Sequence, residues 1–233
     1  MINSAAGLLT EKFIRGKIVP VVVVIRMVLS IGERIKGFLF SPSDTFDASK
    51  GDTMGDAFTY FVVLLAIFAV ILALLIAVAF SMIAGMIDLF GAPMMPRVAA
   101  MGPLFAVIFF VLLFVGGIIS VFIDGLWLHL WVYLVGGREG VEQTIKAVMY
   151  GATPSLILGW IPVVGIIAVI WAFIVEIIGV RQLHGLSTGK VVLAVILAIA
   201  IPLIIYALLL SAFMPLTPGP RFPGPGGPRY GGF

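Results

Sequence analysis

Long apolar blocks alternate with short stretches of charge, glycine and proline along the whole chain. A membrane-crossing helix needs roughly 20 mostly apolar residues to pass a hydrocarbon layer of about 30 Å. The pattern therefore predicts an all-α integral membrane protein, a bundle of transmembrane helices preceded by an amphipathic helix at the interface. The first predicted span covers about residues 57–85. Ala69, Ala73, Ala77, Ser81 and Gly85 recur on every fourth position of it, a small-residue face for close helix packing. The second covers about 103–135. At 33 residues it reaches about 50 Å at 1.5 Å per residue, so it reads as one span with an extension. Trp127, Trp131 and Tyr133 lie in that extension, where interfacial aromatics gather. The last span covers about 190–212.

Residues 17–40 read differently. Arg26, Ser30, Glu33, Arg34 and Gly37 form one stripe at helical spacing, and Val24, Met27, Val28, Ile31, Ile35 and Phe38 line the other face. That is an amphipathic helix lying on the membrane. Its Lys17, Arg26, Arg34 and Lys36 favour an anionic leaflet. Its first apolar stretch, "KIVPVVVVIRMVLSI", is interrupted by Arg26 and followed by charged "GERIK", where a secretory signal would show a small-residue cleavage site. Residues 1–56 thus form a cytosolic and interfacial segment. Its Asp44, Asp47, Asp52 and Asp56 lack the spacing of a calcium loop and read as turn and capping residues. The Pro/Gly-rich tail at 214–233 is expected to be disordered.

The ambiguous stretch is "YGATPSLILGWIPVVG", residues 150–165. No charge occurs between Ala147 and Val175, and the uncharged core with its flanks runs from Val141 to Arg181, 41 residues. That is about 61 Å of helix, enough for two spans at about 141–160 and 163–181. In this reading Pro154 kinks the inward leg and frees the carbonyl of Tyr150, which Thr153 and Ser155 help to satisfy. Pro162 opens the return leg. Gly151, Ser155 and Gly159 make a packing face, with Gly165 beyond the turn. Basic residues number eleven inside and three outside for five spans, and the same for four. The count puts the N-terminus in the cytosol without choosing between the two; length favours five.

Composition excludes several functions. Hydrophobic residues make up 62% and charged ones 11%, against about 25% charged in soluble domains. With no cysteine, disulfides, thiol catalysis and thiolate metal sites are ruled out. A net charge of +3 spread along the chain makes no nucleic-acid surface. No catalytic motif, metal-ligand spacing or cofactor fingerprint is present, so the chain reads as non-enzymatic.

Three stretches, "LFSPSDTFDA", "YGATPSLILGWIPVVGIIAVIW" and "GVRQLHGLSTGKVVLAVI", together with the Gly136–Gly137 pair, resemble the Yip family of multi-span membrane proteins, which interact with Ypt/Rab GTPases. The similarity covers roughly residues 38–212, and the chain reads as a prokaryotic member. The resemblance implies five spans, a cytosolic N-terminus and an outside C-terminus. In eukaryotic members it implies vesicle trafficking and small-GTPase binding through a longer, acidic N-terminal region. Here that region is short and mildly basic, a departure from the pattern.

Ionisable residues at membrane depth are functional candidates, because an unpaired one costs about 2.5–3.5 kcal/mol at mid-span. Five spans bring Asp124, His129 and Glu176 to one layer near the cytosolic face, with Arg181 and His184 beside them. Local pairing, such as Glu176 with Arg181, is the simpler alternative. Two functions fit: a membrane scaffold or adaptor, or a small transporter or channel using the polar layer. A transporter is expected to show paired broken helices, and only one broken region is present. The partners implied are the bilayer, anionic lipids and a second copy of the chain.

Overall fold

The computed structural model describes residues 31–89 and 101–213. Among the described residues it is entirely helical, with no strand. The 17–30 part of the expected amphipathic helix and the 214–233 tail lie outside them.

Residues 31–40 form helix α1, followed by α2 (Pro42–Ala48). The long helix α3 (Met54–Leu89) begins at a reciprocal cap. The Thr53 backbone N–H donates to Asp56 Oδ2 at 2.9 Å, and the Asp56 N–H donates to Thr53 Oγ1 at 3.2 Å, which satisfies two otherwise orphaned donors. Helix α4 (Gly102–Leu134) returns antiparallel. Phe58 faces Phe122 at one end of the pair and Phe80 faces Phe105 at the other. Between them a Cβ on Gly117 would stand 2.8 Å from the Leu65 methyls, so the two backbones approach closely there. Ala69 and Ala73 of the small-residue face are buried, whereas Ser81 and Gly85 are exposed.

Gly136, at φ 107°, stops α4, with the Gly137 N–H bonded to the Val132 carbonyl at 2.8 Å. This is a left-handed glycine termination. Arg138 donates to the Tyr133 carbonyl and lies 3.7 Å over the Tyr133 ring.

The expected span at 141–160 is two pieces, α5 (Val141–Gly151) and α6 (Thr153–Leu158). Residues 159–163 turn the chain into α7 (Val164–His184), and α8 (Thr188–Phe213) follows. Among the described residues four helices are long and apolar enough to cross a membrane: Met54–Ile87, Gly102–Leu134, Val164–His184 and Thr188–Ala212. Neither α5 nor α6 alone is.

Pro154 was expected to kink one continuous helix and Pro162 to open the next, and both stand in different places. Pro154 is in the first turn of α6, and Thr153 Oγ1 donates to the Tyr150 carbonyl at 2.6 Å, filling the acceptor that a proline four residues on cannot. Pro162 stands before α7 rather than opening it. Val163 intervenes at φ 67° and ψ −53°, and the Val164 N–H reaches back to the Pro162 carbonyl at 2.8 Å. That is a tight γ-turn on a β-branched residue, a strained conformation. A second proline is treated the same way. Pro202 within α8 leaves the Ala198 carbonyl unfilled, and Trp127 Nε1 donates to it at 2.8 Å. Trp127 therefore serves α8, in addition to its expected place at the interface.

Helix α5 is the centre of the molecule. Every residue from Thr144 to Gly151 is buried, among α3, α4 and α7, with α1 and α2 over it. The main core, which includes Phe38, Phe46, Leu64, Val132, Met149, Val175 and Val191, wraps this one short helix.

Candidate functional site

A buried helix in a membrane protein is normally apolar, yet α5 carries Thr144, Lys146 and Tyr150 inward, with Thr153 just past its end. Each has its polar atom engaged. Tyr150 is fully buried and stacks on Phe38 at 4.8 Å between ring centres. Its hydroxyl donates to Asp52 Oδ2 at 2.5 Å and accepts from Arg34 Nη1 at 2.9 Å. Arg34 also grips Asp52 through both guanidinium nitrogens, Nη2 reaching Oδ1 at 3.0 Å. Lys146, 1% exposed, donates to the Asp52 backbone carbonyl at 2.7 Å. Four residues from α1, the α2–α3 connection and α5 thus form one knot centred on Asp52.

Such charge-assisted, forked contacts are the stronger kind of hydrogen bond. Burial alone would push the Asp52 carboxyl up, but hydrogen bonds from Arg34 and Tyr150 outweigh it and hold it below its ordinary value. The same bond to Asp52 holds the Arg34 guanidinium above its own ordinary value. Deeper in, the Tyr60 and Thr153 hydroxyls meet at 3.0 Å.

The residues expected to form one polar layer fall into three groups. His129 Nδ1 and His184 Nε2 each lie 2.8 Å from Thr144 Oγ1, so the two imidazoles share one hydroxyl. That hydroxyl has one proton to give, so only one of the rings can accept from it. Glu176 is half-buried against α5, where a Cβ on Gly151 would stand 2.9 Å from Glu176 Cα. Its charged neighbour is Asp124 of α4, which is exposed. Arg181 lies apart from both. Its guanidinium reaches Thr188 Oγ1 at 3.4 Å and Ser43 Oγ at 3.5 Å, and it forms no ion pair with Glu176. At the foot of the α6–α7 turn, Gly165 packs on Gly159; a Cβ there would stand 2.6 Å from the Gly159 carbonyl oxygen. Ser155 Oγ is spent on the Ala152 carbonyl.

Among the described residues no group of three His, Cys, Asp or Glu side chains is placed to hold a metal ion. The Arg34–Asp52–Tyr150–Lys146 knot was missed in the sequence because its members look ordinary one by one. Arg34 belongs to a polar stripe, and Asp52 is one of four similar aspartates. One signal was present: Tyr150 is a polar-tipped ring beside a helix break, and a buried tyrosine hydroxyl requires a partner.

Long apolar helices around a polar-knotted inner pair define a multi-pass integral membrane protein. A family model, the Yip1 domain, matches residues 36–211. The chain belongs to that family. No curated protein and no solved structure matches it.

Proposed function

We propose that this protein is a five-pass, non-enzymatic membrane scaffold whose N-terminal segment is cytosolic and whose C-terminus lies outside. With Ala152 between them, helices α5 and α6 run from Val141 to Leu158, 18 residues, about 27 Å, close to the hydrocarbon thickness. They count as the fifth crossing in this reading. The observation that carries the scaffold reading is the knot. The side chains of Lys146 and Tyr150, at the heart of the bundle, are spent on holding Arg34 and Asp52, and with them residues 31–53, against α5. A scaffold fits that use of polar groups, since it presents a cytosolic segment at a fixed position on the bilayer. Anionic lipids beside the basic N-terminal segment, and a second copy packed on the exposed Ser81–Gly85 end of α3, are the partners we propose. Small-GTPase binding is a proposal from family membership alone, as is a role in membrane organisation or trafficking. The cell membrane is the location we propose.

The test is topological. The chain has no cysteine of its own, so Ser187→Cys and Leu216→Cys each give one labelling site. Five passes put position 187 in the cytosol and position 216 outside. Labelling on the reverse sides would overturn the reading.

One observation supports a second reading, a small transporter. Asp124 and Glu176 are charged neighbours at the level of the α5–α6 break, and carboxylates at membrane depth mark ion or proton pathways. Solute-dependent flux in proteoliposomes, abolished by Glu176→Gln, would put that reading first.

A further inference from the structure

His129, Thr144 and His184 meet where three helices end or begin. His129 stands five residues before the end of α4, Thr144 is the fourth residue of α5, and His184 is the last of α7. Thr144 is fully buried and His184 is 6% exposed. Gly137, just past α4, presses on the His184 ring; a Cβ there would stand 3.1 Å from His184 Nδ1. That nitrogen is buried and has no hydrogen-bond partner among the described residues. The Thr144 hydroxyl, 2.8 Å from each ring, thus joins the start of α5 to α4 through His129 and to α7 through His184.

The pattern is complete only with both rings neutral. The hydroxyl then gives its proton to the bare nitrogen of one ring and accepts the N–H of the other. A proton on the accepting ring replaces that bond with a second N–H donor facing the same oxygen. A proton on the other ring puts a charge into the pair, and on His184 it leaves a buried N–H without an acceptor. With two protons the charged rings stand 5.9 Å apart, centre to centre. No carboxylate pairs with either ring among the described residues. On α4, Tyr133 lies 6.3 Å from His129, ring to ring, under the Arg138 guanidinium. On α8, Lys190 Nζ is 3.7 Å from the Cβ position of Gly136, a further cation. On α5, Lys146 is turned to the Asp52 carbonyl, and Glu139 and Glu142 before it are exposed. On α7, Arg181 reaches Thr188 and Ser43. Asp124 and Glu176 stand five and eight residues deeper on α4 and α7.

We propose that His129, Thr144 and His184 form a proton-released latch: it fastens the start of α5 to α4 and α7 while both rings are neutral, and it lets go in mild acid. Its contribution is full above the ordinary histidine value of about 6.5 and falls away below it. The rest of α5 responds differently. Lys146 and Tyr150 tie it to Asp52, whose carboxyl is held below its ordinary value and stays ionised through that range. Mild acid therefore frees the first turns of the helix and leaves the remainder tied. The latch adjoins the 185–187 connection, so it answers to the pH on that side of the membrane, whichever side that is.

The test uses the full chain in lipid nanodiscs, where both faces meet the same buffer. Ala147 is fully buried on α5, three residues after Thr144, and Ala147→Cys gives the only thiol, since the chain has no cysteine. Its alkylation rate is divided by that of Ser187→Cys, an exposed position, at the same pH, which cancels the thiol's own pH dependence. Between about pH 7.5 and 5.5, either side of the ordinary histidine value, the ratio should rise. Loss of one hydrogen bond corresponds to a rise of about two- to tenfold. His129→Asn with His184→Gln keeps an amide near each contact and removes both histidines of the chain; the ratio should then be the same at both pH values. A flat ratio with the native histidines overturns the latch. So does an equal rise in the double variant, which would assign the pH effect to other groups, Asp124 and Glu176 first. If the double variant does not fold, Thr144→Val decides: without the hydroxyl the ratio should already be raised at the higher pH, and a ratio equal to that of the native threonine overturns the proposal.

Discussion

Tyr150→Phe isolates one hydroxyl at the centre of the knot. Phenylalanine keeps the ring and its stack on Phe38, so the change reads the O–H alone. That group donates to Asp52 at 2.5 Å and accepts from Arg34 at 2.9 Å. Hydrogen bonds to charged groups contribute about 1.5–3 kcal/mol each. The two losses do not simply add, because Asp52 keeps both contacts from Arg34. Their side chains are 15% and 25% exposed, so water can rehydrate part of what is lost. The expected cost is about 2 kcal/mol, near the lower end for a single charge-assisted bond. For a chain of this length that lowers Tm by about 4–8 °C, read by tryptophan emission of the full chain in detergent. Asp52→Asn completes a double-mutant cycle. The two changes should couple by at least about 1 kcal/mol, since contacting groups are non-additive. Additivity within about 0.5 kcal/mol, the behaviour of independent sites, would refute the bond between Tyr150 and Asp52.

Acid should weaken the same knot. Asp52 has a folded pKa below its ordinary value of 3.8, so its stabilisation is present above that value and is lost as pH falls through the lower, folded one. Tyr150→Phe removes one of the bonds that depress it, which raises the folded pKa toward the unfolded one, so the acid loss of Tm should be smaller in that variant and complete at a higher pH. Gly151→Ala places a Cβ 2.9 Å from the Glu176 backbone and should cost about 1–3 kcal/mol by overpacking the α5–α7 contact; an unchanged Tm would mean that the helices are farther apart than described. Val163→Gly should raise stability. A strained backbone position costs about 1–3 kcal/mol, glycine's own entropy cost is about 0.5–1 kcal/mol, and Val163 is 75% exposed, leaving little burial to lose. A fall in Tm would argue against the γ-turn.

The spans that were easiest to read owe their form to local composition. α3, α4 and α8 are uniformly apolar over more than 20 residues, and nothing in their surroundings had to be known. The turn at 159–163 was legible because proline and glycine act on the backbone directly, although the left-handed Val163 was not, since no propensity favours valine there. What stayed hidden were pairings between distant residues. Arg34 and Tyr150 are 116 positions apart and Asp52 and Tyr150 are 98 apart, and no periodicity links such positions. His129 and His184 were placed in one polar layer, but the hydroxyl they share, on Thr144, carries no charge and gave no signal. Arg181 was grouped with Glu176 by its distance along one helix. Five positions correspond to about 500° of helical rotation, so the two side chains point to different sides.

The polar contacts of α5 differ in direction, and this bears on how the protein transmits change. Thr144 ties the helix to α4 and α7 through the two histidines, Lys146 and Tyr150 tie it to residues 34–52, and Thr153, just beyond it, meets Tyr60 of α3. Helices in a bilayer gain no hydrophobic driving force from meeting one another, so packing and hydrogen bonds decide which associate. The long helices can rely on extended packing such as that between α3 and α4. An 11-residue helix has little surface for that and depends on its side-chain bonds. Loosening the Asp52 knot would therefore weaken the hold of α5 on residues 34–52, while the contacts of residues 39–46 with α7 and the α3–α4 packing remain. A change at residues 31–53 reaches α5 through Lys146 and Tyr150, one position before Gly151, where α5 meets Glu176.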